Sequence, residues 1–225
     1  MDHSIINLQD YTITQHVLFA LGCLLWVVTY IVVIKAIRTH QFIEIPIVAV
    51  TANFAWEFLW SFVFMTDMGL LYVWGYRLWF FLDCYIIYGL FLYGYKQMQL
   101  PQMRGRSAVW ILFSLACSFA MLYFYIDRYD APLSHMGAYS GYILNVMMSA
   151  LYIPLLLRMR SVGKFSRLAA WCKGVGTLLI SIFCVLKFQD PFLISMCVVT
   201  TFLDAIYIYY IMDENVHTNT AKSKL

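Results

Sequence analysis

Three carboxyl side chains interrupt stretches of the sequence that are otherwise apolar: Glu57, Asp83 and Asp204. A charged side chain at mid-bilayer costs at least about 2.5–3.5 kcal/mol, so such residues face a protein interior and mark functional sites. No Lys, Arg or His is expected at their depth. A carboxyl out of water with no cation beside it is held in its neutral form, which is a proton donor. A second, hydrogen-bonded carboxylate can stay charged and act as acceptor. Asn53 stands one turn before Glu57 on the same helix face, and Thr200 and Thr201 stand similarly to Asp204, so these are the expected orienting groups. Trp56 and Trp60 flank Glu57, Trp79 lies one turn before Asp83, and Tyr207 follows Asp204. With Asn145 they form the candidate substrate-facing set. Aromatic faces stabilise cations by roughly 0.5–2 kcal/mol each. A proton donor inside an aromatic chamber suits carbocation chemistry. Interhelical hydrogen bonds and interfacial belts are the structural alternatives for the same residues.

An all-α, polytopic membrane fold is expected to position these groups. Hydrophobic residues make up 63% of the 225 and charged residues 12%, against a soluble norm of roughly 45–50% and 25%. The mean hydropathy is +0.74. A membrane helix needs about 20 mostly apolar residues, and seven such runs occur, at 17–37, 43–65, 73–95, 108–126, 137–157, 170–185 and 191–212. Of fifteen Lys and Arg residues, only Arg77, Arg128 and Lys187 fall on one side of the resulting bundle. The positive-inside rule then places the N-terminus outside or lumenal and the C-terminus in the cytoplasm. The expected division is a polar segment 1–16, a seven-helix catalytic bundle 17–212 and a disordered cytoplasmic tail 213–225. At about 1.5 Å per residue, Glu57 and Asp83 lie at roughly 12–15 Å depth and Asp204 at roughly 20 Å, so all three are expected to line one cavity. Asp190 and Pro191 read as the N-cap and first residue of the last span, and Pro154 as a kink in the fifth.

Other chemistries lack their residues. The five histidines are scattered over tails and links, and the six cysteines read as small core residues, so no metal site or other cofactor is expected. The run Asp127–Arg128–Tyr129–Asp130 is too sparse to hold magnesium on a diphosphate. No phosphate-binding glycine loop or nucleophile elbow occurs. No basic stripe argues for nucleic acid. The closing Ser223–Lys224–Leu225 resembles a peroxisomal address, which suits a seven-span protein poorly.

The segment Asn53-Phe-Ala-Trp56-Glu57-Phe-Leu-Trp60 resembles the second span of small seven-span terpene cyclases. These belong to fungal meroterpenoid and indole-diterpene pathways and have bacterial relatives. Phe202-Leu203-Asp204-Ala-Ile-Tyr207-Ile-Tyr209-Tyr210 is similar to their last span. Arg160-Ser161-Val-Gly163-Lys164-Phe-Ser166-Arg167 is similar to their basic link, and Trp171 and Gly176-Thr177 to the Trp and Gly-Thr that the link leads to. That link is poorer in Gly, Ser and Arg than the fungal pattern, with Lys173 near where an Arg is usual. The resemblance implies that the acids matching Glu57 and Asp204 are essential. It also implies metal-free protonation of a terminal epoxide or alkene on a lipophilic prenylated substrate, followed by ring closure. Asp83 enters from its depth alone. A membrane setting and lipid contact follow from the fold. The alternative from the residues themselves is a proton-coupled small-molecule transporter or sensor, since intramembrane acids also mark proton relays.

Overall fold

A computed structural model describes residues 4–159 and 165–213. Among these the chain is helical without strands. The long elements are α1 (Ile13–His40), α2 (Ile47–Phe58) and α3 (Leu70–Tyr93). The one-turn α4 (Pro101–Arg104) leads into α5 (Ser107–Tyr125), and the one-turn α6 (Ala131–Ser134) into α7 (Ala138–Met159). Then come α8 (Arg167–Phe188) and α9 (Pro191–Met212). Six helices are long and apolar enough to cross a membrane. The apolar helix Ile47–Val63, which is α2 with a π turn from Leu59 to Val63, is shorter than the other six. The basic-link residues Arg160, Ser161, Gly163 and Lys164, and the tail beyond Asp213, lie outside the described residues.

α2 therefore starts later than the apolar run at 43–65. Pro46 has no N–H to donate and disfavours helix in the residue before it, so the chain runs non-helically to Pro46, which caps α2. The buried Gln97 side chain takes up the backbone left over. It donates to the carbonyls of Ile43 and Ile45 (2.8 and 2.7 Å) and accepts from the Ile47 N–H (3.2 Å). α8 differs the other way. Ser166 caps it by accepting from the Ala169 N–H, so the helix begins at Arg167 and takes Lys173 into its body. Asp190 accepts from the Leu193 N–H with Pro191 in the first turn, as its sequence implies. α7 runs through Pro154 as one helix.

The helices close around a cavity. α1 packs along α8, α8 on α9, α9 on α7, and α2 against α3, α5 and α7. Small residues set the α1–α8 distance: a Cβ at Gly22 would sit 2.8 Å from the Gly176 carbonyl. α5 buries only Ile111 and Leu122 and exposes Val109, Leu112, Phe113, Met121 and Phe124, a face suited to lipid.

Glu44 lies in the extended segment before α2 and is 2% exposed, with Oε2 accepting from the Ser166 N–H at 2.6 Å. Burial pushes its carboxyl from 4.5 up to about 7 against that hydrogen bond. The folded protein thus holds a proton that the unfolded chain releases. The associated stability is full below the unfolded pKa and is lost as pH rises through about 7. The thermal midpoint in detergent should fall between about pH 5 and about pH 8, and Glu44→Gln should flatten that slope. An unchanged slope in the variant would remove Glu44 as its cause.

Candidate active site

α2 presents Asn53, Trp56, Glu57 and Trp60 along one stripe. Glu57 is 1% exposed. Its Oε1 accepts from the Tyr30 hydroxyl of α1 and from Asn53 Nδ2 (2.9 Å), while its Oε2 has no partner among the described residues. Asn53 Nδ2 also reaches the Tyr30 hydroxyl (2.6 Å) and Asp83 Oδ2 of α3 (3.3 Å). Asn53 thus orients Glu57, as its spacing implies, and links it to the second acid. Two donors on Oε1 and none on Oε2 make the two oxygens of this carboxyl unequal.

That cavity measures ≈ 80 Å³. Trp26 and Tyr30 of α1, Trp56 of α2, Tyr76 and Trp79 of α3 and Tyr142 of α7 give it an aromatic wall, with Asn53, Glu57 and Asn145 as polar members. Tyr76 stacks on Trp79 at 5.4 Å, and Trp56 lies 5.5 Å from Tyr76. Asn145 Oδ1 is buried without a partner at this wall. A smaller cavity of ≈ 20 Å³ adjoins it, sharing Trp26, Tyr30, Asn53 and Met148, and it is this one that Asp83 borders.

Buried Asp130 fixes the wall's far side. It accepts from the backbone N–H groups of Tyr139 (3.2 Å) and Ser140 (2.7 Å) and from the Ser134 and Ser140 hydroxyls. Ser140 Oγ in turn accepts from the indole N–H groups of Trp56 (2.7 Å) and Trp60 (3.4 Å). Gly137, at φ +86, lets both rings approach: an added Cβ would lie 2.8 Å from each.

Asp204 departs from expectation. Lys173 is 2% exposed, and its Nζ lies 2.5 Å from Asp204 Oδ1 and 2.7 Å from Ser149 Oγ. A cation is therefore present beside one of the deep acids. Sequence counting assigned Lys173 to the basic link although the run 170–185 contains it near its start; α8 begins at Arg167, so Lys173 stands two turns inside the helix. The three acids do not line one cavity either: Glu57 and Asp83 border adjacent ones, and Asp204 borders neither. Among the described residues Thr200 Oγ1 has no partner and Thr201 donates to the Cys197 carbonyl, so neither orients Asp204. Tyr207 packs on Tyr152 at 4.9 Å, one layer behind the cavity, and Trp60 borders an outer cavity instead of the inner one. Sequence reasoning missed Tyr30, Lys173, Ser149, Tyr76, Trp26 and Asp130. Lys173, seven residues into α8, carried the one usable signal.

A helical bundle with buried carboxyl groups beside an aromatic cavity marks a functional site within the membrane. The family model of Pyr4-like transmembrane terpene cyclases matches residues 4–214, and the chain belongs to that family. It is similar to the Pyr4-family terpene cyclase mfmH of Annulohypoxylon moriforme, with 24% identity over 201 residues, 86% of this chain and 80% of that protein. No solved structure matches. The chain is thus a terpene cyclase and a multi-pass membrane protein.

Proposed function

We propose that Glu57 protonates the terminal epoxide or alkene of a prenylated, meroterpenoid-type substrate and that the resulting cation closes rings inside the aromatic cavity. The observation that carries this reading is the arrangement at Glu57, a residue of the cavity wall, with Oε1 held by Tyr30 and Asn53 and Oε2 unpartnered among the described residues. The Oε2 proton passes to the epoxide oxygen or alkene carbon. The C–O bond or π bond breaks, neighbouring alkenes attack the cation in turn, and a final proton leaves to a carboxylate. Substrate and product are isomers. Trp26, Trp56, Tyr76 and Trp79 offer ring faces to the migrating charge. Asn145 offers an amide to a substrate oxygen. Folding the flexible chain into a reactive shape supplies more of the rate than the acid does.

Asp83 is linked to Glu57 through Asn53, and Asp204 balances the Lys173 ammonium. That ammonium lies 5.8 Å from the Trp26 ring and 5.7 Å from the Tyr152 ring. Unpaired, it would set an uncompensated like charge beside the cation's path. The seventh span is α2 with its π turn, the cytoplasmic end is the one holding the C-terminus, and the lipophilic substrate enters from the bilayer. The membrane is the endoplasmic reticulum in a fungal host and the cytoplasmic membrane in a bacterial one.

The test is to feed membranes bearing the chain a panel of prenylated acceptors and their terminal epoxides. A product isomeric with its substrate is expected by mass spectrometry, at an undiminished rate in EDTA. No isomer from any well-expressed preparation would sink the reading, and loss of activity in EDTA would sink its metal-free form.

A further inference from the structure

A second, larger cavity of ≈ 490 Å³ opens at the end of the bundle that holds the first described residues. Its polar border includes Asn7, Asp10, Thr66, Asp67, Arg77 and His135. The cavity at Glu57, at ≈ 80 Å³, is about half the roughly 150 Å³ that holds one benzene. A prenyl chain bearing a head group needs more room than that. Pockets for such ligands measure about 300–1,000 Å³, and the outer cavity falls in that range.

The two cavities share a wall. Trp60 borders the outer one and Trp56 the inner one, and both converge on Ser140 and Gly137. The turn beside them does the same, with His135 on the outer cavity and Met136 and Gly137 on the inner. The π turn Leu59–Val63 runs in this wall, and π turns recur at functional sites.

Arg77 supplies the chemistry. Its guanidinium lies over Trp74 at 4.8 Å and Phe62 at 5.5 Å, and its Nε donates to the Ser61 carbonyl at 3.3 Å. Its terminal nitrogens donate to no acceptor among the described residues, and no described carboxylate lies within ion-pair distance. The acids of the cavity are engaged elsewhere: Asp67 accepts from the Tyr11 hydroxyl and Asp10 from Asn7 Nδ2, both at 2.8 Å. A stacked guanidinium with free edge N–H groups is built to grip a planar oxygen anion.

We propose that the outer cavity binds the oxygenated, non-prenyl head of the substrate, with Arg77 on a carboxylate, phenolate or enolate oxygen and the prenyl chain passing the Trp56–Trp60 wall to Glu57. This rests on the cyclase reading above.

The test measures binding, apart from turnover, on the full chain in nanodiscs by tryptophan fluorescence. The probes are a farnesylated hydroxybenzoic acid and farnesyl methyl ether, which lacks the head. Arg77→Gln should weaken the acid by about 10–100-fold and leave the ether within about two-fold. Arg77→Lys should fall between. Leu70→Trp fills the same cavity from a residue 41% exposed, which spares the fold, and should weaken the acid as well. Arg128→Gln, outside the cavity, should change neither. Acid binding within about two-fold of wild type in both Arg77→Gln and Leu70→Trp overturns the proposal, as does equal loss of both probes. Should Arg77→Gln fail to fold, Leu70→Trp decides. Arg77-dependent binding without a cyclised product upholds the head site and removes the cyclase reading. Cyclisation indifferent to Arg77→Gln does the reverse.

Discussion

Glu57→Gln is expected to lower turnover by at least about 10²–10⁴-fold, the usual contribution of a positioned acid, while the protein folds and inserts normally. Gln keeps the size of Glu, and its amide oxygen still accepts from Tyr30 and Asn53, so the hydrogen bonds that fix the side chain survive. What it lacks is a proton that can leave. Rates measured on the substrate that the panel identifies, normalised to purified protein, give the comparison. Near-full activity would end the acid assignment. Asp83→Asn should cost less, because Asp83 borders the adjacent cavity and reaches Glu57 only through Asn53.

Lys173→Met is expected to be the most destabilising single change in the bundle. It leaves Asp204 buried with no cation to pair with, a loss of about 3–5 kcal/mol, or a drop of on the order of 10 °C in thermal midpoint. Asp204→Asn strands the ammonium instead and should also abolish turnover. In the double variant Lys173→Met/Asp204→Leu both charges are gone, and most of the stability should return. If Asp204 serves only to balance Lys173, much of the activity returns with it. A stable but inactive double variant would assign Asp204 a direct part in proton transfer.

The distribution of legible and hidden features has a physical logic. Apolar runs and basic links mark where helices begin and end to within a few residues. The largest errors fall where side chains, not hydropathy, set the ends: Pro46 and Gln97 before α2, and Ser166 before α8. A local contact such as Asn53 to Glu57 is also legible, because residues four apart on a helix must be neighbours. Counting at about 1.5 Å per residue sets Glu57 and Asp83 at one level, where Asn53 bridges them, but the same count also joined Asp204 to a cavity that it does not border.

The order of residues is enough to specify an all-helical membrane protein, the acids that stand deep within it and the aromatic character of their surroundings. Two short motifs in it also place the chain near a family of terpene cyclases. Which acids meet is a matter of tertiary packing. Tyr30 reaches Glu57 from α1, and Lys173 of α8 claims Asp204 of α9, turning a carboxyl expected to have no cation beside it into half of an ion pair. A soluble helix announces its buried face by a polar one opposite. These helices are apolar nearly all round, since lipid accepts the same side chains as a protein core. The rotation of each helix about its axis, and so the partner each polar group meets, is settled by packing alone.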